Sequence, residues 1–348
     1  MRIAVIGAGW YGCHIASSFI ALGFEIVVFE KAGQVMAAAS GNNQFRLHQG
    51  FHYARNHRTR VQSRDGYARF MERYARLSAP IEHNIYVVPE QDSLIDFLTY
   101  RMIMSASGLE FAEISPDAYG IANCRGGLRV AERVLLTEKA RTFFTKRLGS
   151  ALRLQHAVSS MESHPDGVLV DGELFDYVVD ATWGARVSIE KNVFFEPTLL
   201  LYYRSSVAGN FALTAVDGQL CSIYPCEEPE MFTLSSVTHT PMGRFESSDD
   251  AWAFLENLPT SIVDEKRKLM EAQVERYYPA FRDQFEYVGP QLSVKTKIEG
   301  ATDDRSCYVE KEGRIFKVLS GKIDTIFFAS DAILSMLEAE FELGEFLS

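Results

Sequence analysis

Four residues carry the most specific chemistry in the chain. Gly7, Gly9 and Gly12 stand in Gly7-Ala8-Gly9-Trp10-Tyr11-Gly12, and Glu30 lies 23 positions after Gly7. Gly7 permits a tight turn from strand to helix, Gly9 lets a pyrophosphate approach the backbone, and Gly12 lets the helix lie close on the sheet. The first helical turn, at Trp10 and Tyr11, offers backbone N–H groups and a positive dipole end to phosphate. Glu30, followed by Lys31, closes the second apolar strand, where a carboxylate accepts hydrogen bonds from both ribose hydroxyls. Three spaced glycines also occur in ordinary turns. Here an apolar strand at 2–6, the glycine turn, a helix, a second strand at 24–29 and a terminal acid follow in order, and together they predict a dinucleotide site.

A second set of residues follows. Residues 37–53 begin small and amide-rich, with Ser40, Asn42 and Asn43, and then alternate polar and apolar positions through Arg46, His48, His52 and Tyr53. Such a loop can wrap a pyrophosphate and continue towards a flavin ring. If the segment is extended, Arg46, His48 and His52 share one face, because alternate residues of a strand point the same way. Histidine is the natural titrating group near neutral pH. The competing reading is a set of half-buried polar residues that merely support the loop.

These features resemble the glycine oxidase / D-amino-acid oxidase-like superfamily of flavoproteins. Ala39-Ser40 matches that superfamily's loop after the ribose-binding acid. His48-Gln49-Gly50-Phe51-His52-Tyr53 is similar to the HGGLRY stretch of glycerol-3-phosphate dehydrogenases, with Gln and His substituted. The resemblance implies FAD as cofactor, with hydride transfer from an amine, amino acid or hydroxylated small molecule to flavin N5. Electrons would then leave to oxygen, a quinone or a carrier protein. It also implies later contacts. Residues 152–159 form a strand presenting Val158 to adenine. Residues 175–184 form a strand and turn ending at Thr182 and Gly184. Gly321 and Lys322 approach the flavin, Lys322 as a cation at its pyrimidine end. Arg305 binds a substrate carboxylate as a fork, the alternative being a surface ion pair with Asp303 or Asp304. Tyr224, like Tyr202 and Tyr203, lies on an expected strand of the substrate domain, where packing competes with a catalytic role.

The elements that must position these residues define an α/β fold. The expectation is a Rossmann-like FAD-binding domain with a second α+β domain on a mixed, largely antiparallel sheet. Both are discontinuous: 1–78, 140–192 and 300–348 for FAD, and 79–139 and 193–299 for substrate. Strands are expected at 85–88, 199–203, 220–224 and 231–237, and helices at 251–258 and 262–277, the second stopping before Pro279. Between 55 and 76, seven arginines against Asp65 and Glu72 line a helix whose apolar face is Tyr67, Phe70, Met71, Tyr74 and Leu77. They read as a solvated face, or as a field steering an anionic partner.

Composition narrows the classes further. With 348 residues, 35 basic against 46 acidic side chains and a net charge of −11, the chain is a poor candidate for nucleic-acid binding. No apolar run approaches the length of a spanning helix, and the usage of thiols suits a cytoplasmic protein. No second glycine fingerprint for a nicotinamide nucleotide, no CxxC zinc pair and no cysteine between Cys13 and Cys124 occur. Cys221 and Cys226 have the spacing of a redox pair but the wrong position. Three alternatives stay open at this point: non-oxidative use of reduced flavin as in mutases, a non-catalytic flavin-binding pathway protein, and an NAD-dependent dehydrogenase.

Overall fold

The computed structural model describes residues 1–186, 190, 192–300, 305–319 and 321–347. The chain falls into two compact units. The first comprises Met1–Ser40, Glu138–Val193 and Thr296–Ser348, and the second Gly41–Thr137 and Phe194–Lys295. The sequence expectation had kept 41–78 with the nucleotide-binding unit. Those residues fall instead with the second unit, because Arg46–Leu47 and Ser78–Pro80 both pair with Arg133–Leu135 there.

The first unit is built on a six-stranded sheet in the order Tyr308–Glu312, Ile315–Leu319, Tyr177–Asp180, Arg2–Ile6, Glu25–Phe29 and Leu152–Arg153. Every neighbouring pair is parallel except the outer hairpin Tyr308–Glu312 with Ile315–Leu319. The central strand reads Arg-Ile-Ala-Val-Ile, an almost continuous apolar run, as a parallel strand covered on both faces requires. Helix Trp10–Ala21 follows it and ends at Gly23, whose φ of +90° stops the helix at no steric cost. A small antiparallel sheet, Met161–His164, Gly167–Val170 and Glu173–Phe175, packs Val168, Val170 and Phe175 into one cluster with Ala4, Ile6, Val27 and Phe29.

Residues 152–159 are not one strand. Pairing stops after Arg153, Gln155 takes φ +55°, and the carboxylate of Asp171 draws in the N–H groups of Ser159 and Ser160 at 2.9 and 2.8 Å. The chain therefore turns, and Val158 buries its side chain in that same cluster.

The edge of this unit holds an acid-sensitive tie. Glu173 accepts from Arg153 at 2.6 and 3.1 Å and from Arg2, and these partners, Arg153 first, pull its carboxyl down to about 2. A depressed carboxyl contributes stability that is complete above its ordinary value and is lost as pH falls through the folded one. The expected result is that Glu173→Gln melts lower than wild type at pH 7, and that the gap closes between about pH 5 and pH 2. Thermal melts across that range check it. A gap that persists at the acid end would remove Arg2 and Arg153 as the cause.

The second unit is built on an eight-stranded sheet. Its order is Glu286–Ile298, Val193–Arg204, Met231–Ser236, Cys221–Pro225, Phe211–Ala215, His83–Pro89, Cys124–Val130 and Phe111–Ile114. From Val193–Arg204 to Phe111–Ile114 the pairs are antiparallel, apart from the parallel pair of Phe211–Ala215 with His83–Pro89. One face packs Ile85, Val87, Leu201, Leu213 and Ile223 against Met270 and Val274 of helix Thr260–Glu275 and Tyr277 beyond it. The other face packs Tyr86, Val88 and Leu128 against Phe51, Tyr100 and Met104.

Helix His57–Tyr74 begins at Asn56, whose side chain accepts from the N–H of Thr59, and buries Phe70 and Tyr74. Arg60 departs from the expected solvated face. It is 7% exposed and its guanidinium is turned inward. No helix among the described residues is long and apolar enough to cross a membrane.

Candidate functional site

In the first unit the glycine turn is as crowded as its spacing implies. Gly7 takes φ +95° and donates to the carbonyl of Phe29 at 2.8 Å. A Cβ on Gly12 would collide with the carbonyl oxygen of Gly7, and one on Gly9 would lie 2.8 Å from Ser40 Oγ. Ser40 Oγ accepts from the N–H of Trp10 at 3.1 Å. The indole of Trp10 is buried edge-on against Phe144 at 5.8 Å, so this residue meets the turn through its backbone.

Helix Trp10–Ala21 has no side-chain N-cap bond and no acid in its first turn. Its N-terminal end is thus a polar cradle of the kind phosphate occupies. Glu30 Oε2 accepts from Ala8 N–H at 2.8 Å and Oε1 from Ala32 N–H at 2.9 Å. Each oxygen keeps a further lone pair, which is the acceptor set that two ribose hydroxyls need. Lys31 beside it is exposed. These residues fit a dinucleotide.

Other expected contacts gather around the same turn. A Cβ on Gly7 would lie 3.0 Å from the carbonyl of Ala181, the residue before Thr182. Thr182 donates through N–H and Oγ1 to the buried Asp180, at 2.8 and 2.6 Å. Trp183 and Gly184 both take positive φ, and the Trp183 carbonyl accepts from Thr296 at 2.6 Å.

Tyr11 reaches the C-terminal loop. Its hydroxyl donates to the backbone carbonyl of Lys322 and meets Thr325 Oγ1, both at 2.6 Å. Gly321 packs on Arg305, whose Cδ would lie 2.7 Å from a Cβ there. Asp303 and Asp304, the alternative partners for Arg305, lie outside the described residues. Arg141 was not singled out by the sequence. It anchors the loop before Ser40 by donating to the carbonyls of Val35 and Met36 at 3.2 and 2.9 Å, while Met36 N–H bonds Ala8.

In the second unit, the segment after Ser40 does not stay extended. Asn43 Oδ1 accepts from Phe45 N–H at 2.5 Å, and the Asn43 carbonyl accepts from Gln291 at 3.1 Å. Asn42 precedes this turn and is half-buried. Strand pairing covers only Arg46–Leu47. Gly50 then takes φ +117° and its carbonyl accepts from Tyr53 N–H at 3.0 Å. The shared face expected for Arg46, His48 and His52 is therefore absent beyond Leu47. The turn instead gathers three rings. His48 and His52 lie 5.9 Å apart between centroids, His48 and Tyr53 5.6 Å, and His52 and Tyr53 5.3 Å.

Arg46 is 5% exposed and points elsewhere. Its Nη1 donates to Tyr86 Oη at 2.7 Å and its Nη2 to Ser222 Oγ at 2.6 Å, and its guanidinium lies 4.1 Å from the ring centroid of Tyr224. Tyr86 donates to Glu132 Oε2 at 2.6 Å. Glu132 is fully buried. It accepts from Gln49 N–H at 2.8 Å, and its Oε1 lies 3.8 Å from His48 Nδ1. Burial pushes the Glu132 carboxyl up, and Arg46 and the Tyr86 hydroxyl oppose that shift. Tyr224 is buried, its hydroxyl donating to the Arg133 carbonyl at 3.2 Å, and burial raises its pKa far above the ordinary phenol range.

Glu132 gave no sign in the sequence, where it is one acid among 46. Tyr202 is half-buried, and its hydroxyl accepts from Gln291 at 2.7 Å. Cys221 and Cys226 are free, and burial pushes both thiols up to about 12.

A parallel sheet with a glycine turn and an acid-ended second strand, joined to a largely antiparallel unit, defines a dinucleotide-binding α/β protein. The family described as FAD dependent oxidoreductase (DAO) matches residues 2–291, and the chain belongs to it. Its cofactor is FAD, which sets aside the nicotinamide alternative.

The chain is 53% identical over 338 residues to FAD-dependent monooxygenase FPY4 of Fusarium mangiferae, covering 97% of this chain and 91% of that protein. It is 24% identical over 367 residues to FAD-dependent monooxygenase kojA of Aspergillus flavus, covering 97% and 86%. The fold matches glycine oxidase from Geobacillus kaustophilus with a TM-score of 0.72 at 16% identity, covering 97% and 95%. It matches FAD-bound L-alpha-glycerophosphate oxidase from Mycoplasma pneumoniae with a TM-score of 0.73 at 12% identity, covering 97% and 94%.

Proposed function

We propose that this FAD-dependent oxidoreductase oxidises a small molecule at a C–H bond next to nitrogen or oxygen, with His48, His52 and Tyr53 serving the substrate. The observation that supports this reading is the gathering of three proton-exchanging rings, 5.3–5.9 Å apart, on one short turn. FAD, when bound, supplies a hydride acceptor at N5. The chain's own groups have two tasks. They hold the reacting C–H at near-attack distance, and a neutral imidazole accepts the proton that leaves the amine or hydroxyl. Arg46 acts from behind, bracing Tyr86 and Tyr224 rather than meeting the substrate. Arg305 is proposed to take a substrate carboxylate, and Lys322 to set its charge near the flavin's pyrimidine end.

A second reading, oxygen insertion, is favoured by the names of the two fungal relatives, one of them 53% identical. Anaerobic mixing separates the two. With a panel of amines, amino acids and hydroxylated compounds, bleaching near about 450 nm without added reductant is the expected result for some member. Bleaching only by a reduced nicotinamide would turn the assignment to oxygen insertion. His52→Asn and His48→Asn are each expected to slow reduction by about a hundredfold or more at unchanged flavin content, the usual worth of a positioned base. Rates within a few-fold of wild type in both variants would remove the trio from the chemistry.

A further inference from the structure

The turn that carries the three rings has an unusual support. Residues 48–54 form no strand, so their backbone groups have no sheet partners and need others once buried. Three side chains, two on helices and one between strands, supply partners. Glu132, between strands Cys124–Val130 and Arg133–Leu135, takes the N–H of Gln49 at 2.8 Å. Tyr100, in helix Phe97–Ala106, donates to the carbonyl of Phe51 at 2.9 Å. Arg60, in helix His57–Tyr74, donates through Nη1 to the carbonyls of Tyr53 and Ala54, both at 2.8 Å, and through Nε to Ser107 Oγ at 2.7 Å. Glu132 and Tyr100 are fully buried and Arg60 is 7% exposed.

The support reaches the backbone itself. A Cβ on Gly50 would lie 2.9 Å from both Arg60 Cγ and the Arg60 carbonyl, so the turn seats directly on that helix. Phe51 and Ala54 point into the core beside Tyr86 and Tyr100. Burying two charges and a phenol costs desolvation that a leucine would not. Here each of the three sends at least one polar atom to a backbone group of the turn.

We infer that Glu132, Tyr100 and Arg60 are positioning residues that clamp the backbone of residues 49–54 and so aim His48, His52 and Tyr53. The inference rests on the proposed role of those rings, but the clamp has readouts of its own. FAD-loaded protein with isotope-labelled histidine is compared as wild type, Glu132→Gln, Tyr100→Phe and Arg60→Lys. Arg60→Lys keeps the charge but loses the fork that spans two carbonyls. Amide exchange in 48–54 is expected to rise about tenfold or more in each variant, the loss of one buried hydrogen bond. Exchange in 7–22 and the flavin absorbance should stay unchanged. The ring resonances of His48 and His52 should move while those of His14 and His83 do not, a pattern that loss of global stability does not produce.

If Glu132→Gln fails to fold, Tyr100→Phe still decides, since it removes a single hydroxyl. Folded variants with wild-type exchange in 48–54 overturn the clamp, whatever their activity. Variants that loosen the turn yet are reduced at the wild-type rate in the anaerobic assay leave the clamp standing and overturn its role in aiming a working site.

Discussion

Gly12→Val is expected to release the flavin. The new side chain meets backbone, not a flexible side chain: the carbonyl oxygen of Gly7 first, its carbon at 3.0 Å, then Val5 Cγ1 at 3.4 Å. Neither Gly7, held at φ +95° and bonded to Phe29, nor Val5, in the central strand, can yield cheaply. The helix must tilt away, which moves the N–H groups of its first turn and the Gly9 cradle out of register with Glu30. Overpacking of this kind costs about 3 kcal/mol, and spent on the bound geometry that is about a hundredfold in affinity. Titration of apoprotein with FAD, beside a melt, separates lost affinity from lost stability. Wild-type affinity at wild-type melting temperature would falsify the turn as the phosphate cradle.

The second large effect is expected at the buried pair in the other unit. Glu132→Ala removes the carboxylate that Tyr86 links to the Arg46 guanidinium, which is 5% exposed, and takes the acceptor from the Tyr86 hydroxyl and the Gln49 N–H. Breaking a buried pair from one side costs about 3–5 kcal/mol, because the remaining charge is stranded. Arg46→Met in the same protein removes the stranded charge while filling its space, so the double variant is expected to recover part of that loss. Denaturant unfolding of Glu132→Ala, Arg46→Met and the double variant measures the difference. A double variant as unstable as the sum of the two single changes would show that Arg46 and Glu132 do not act as a pair.

The residues that the sequence exposed share a property. Gly7, Gly9, Gly12 and Glu30 act within one strand–turn–helix–strand unit, so their partners are close in the chain and spacing alone places them. The same holds for the helix stop at Gly23 and for the apolar strands of both sheets. Residues 48–53 were legible as a set of residue types but not as a shape. Their alternation suggested an extended face, and the φ of Gly50 and its seat on Arg60 bend the segment into a turn. Val158 was placed on a strand by the family resemblance, while pairing stops at Arg153 and Asp171, 13 positions after Val158, holds the N–H groups of Ser159 and Ser160 in a turn.

Glu132, Tyr100 and Arg60 mark what local pattern cannot carry. In the sequence each is an ordinary polar residue, and Arg60 stands in a run of seven arginines that reads as solvent-facing. Whether such a side chain faces water or a backbone carbonyl depends on which element packs over it. Tyr86 brings Arg46 and Glu132 together across 40 and 46 residues, and Ser222 meets Arg46 across 176. The sequence by itself therefore determined the class of cofactor, because phosphate and ribose recognition is written in local backbone geometry. The tertiary structure alone decided which charges are buried and what they hold in place, because desolvation is a property of neighbours distant in the chain.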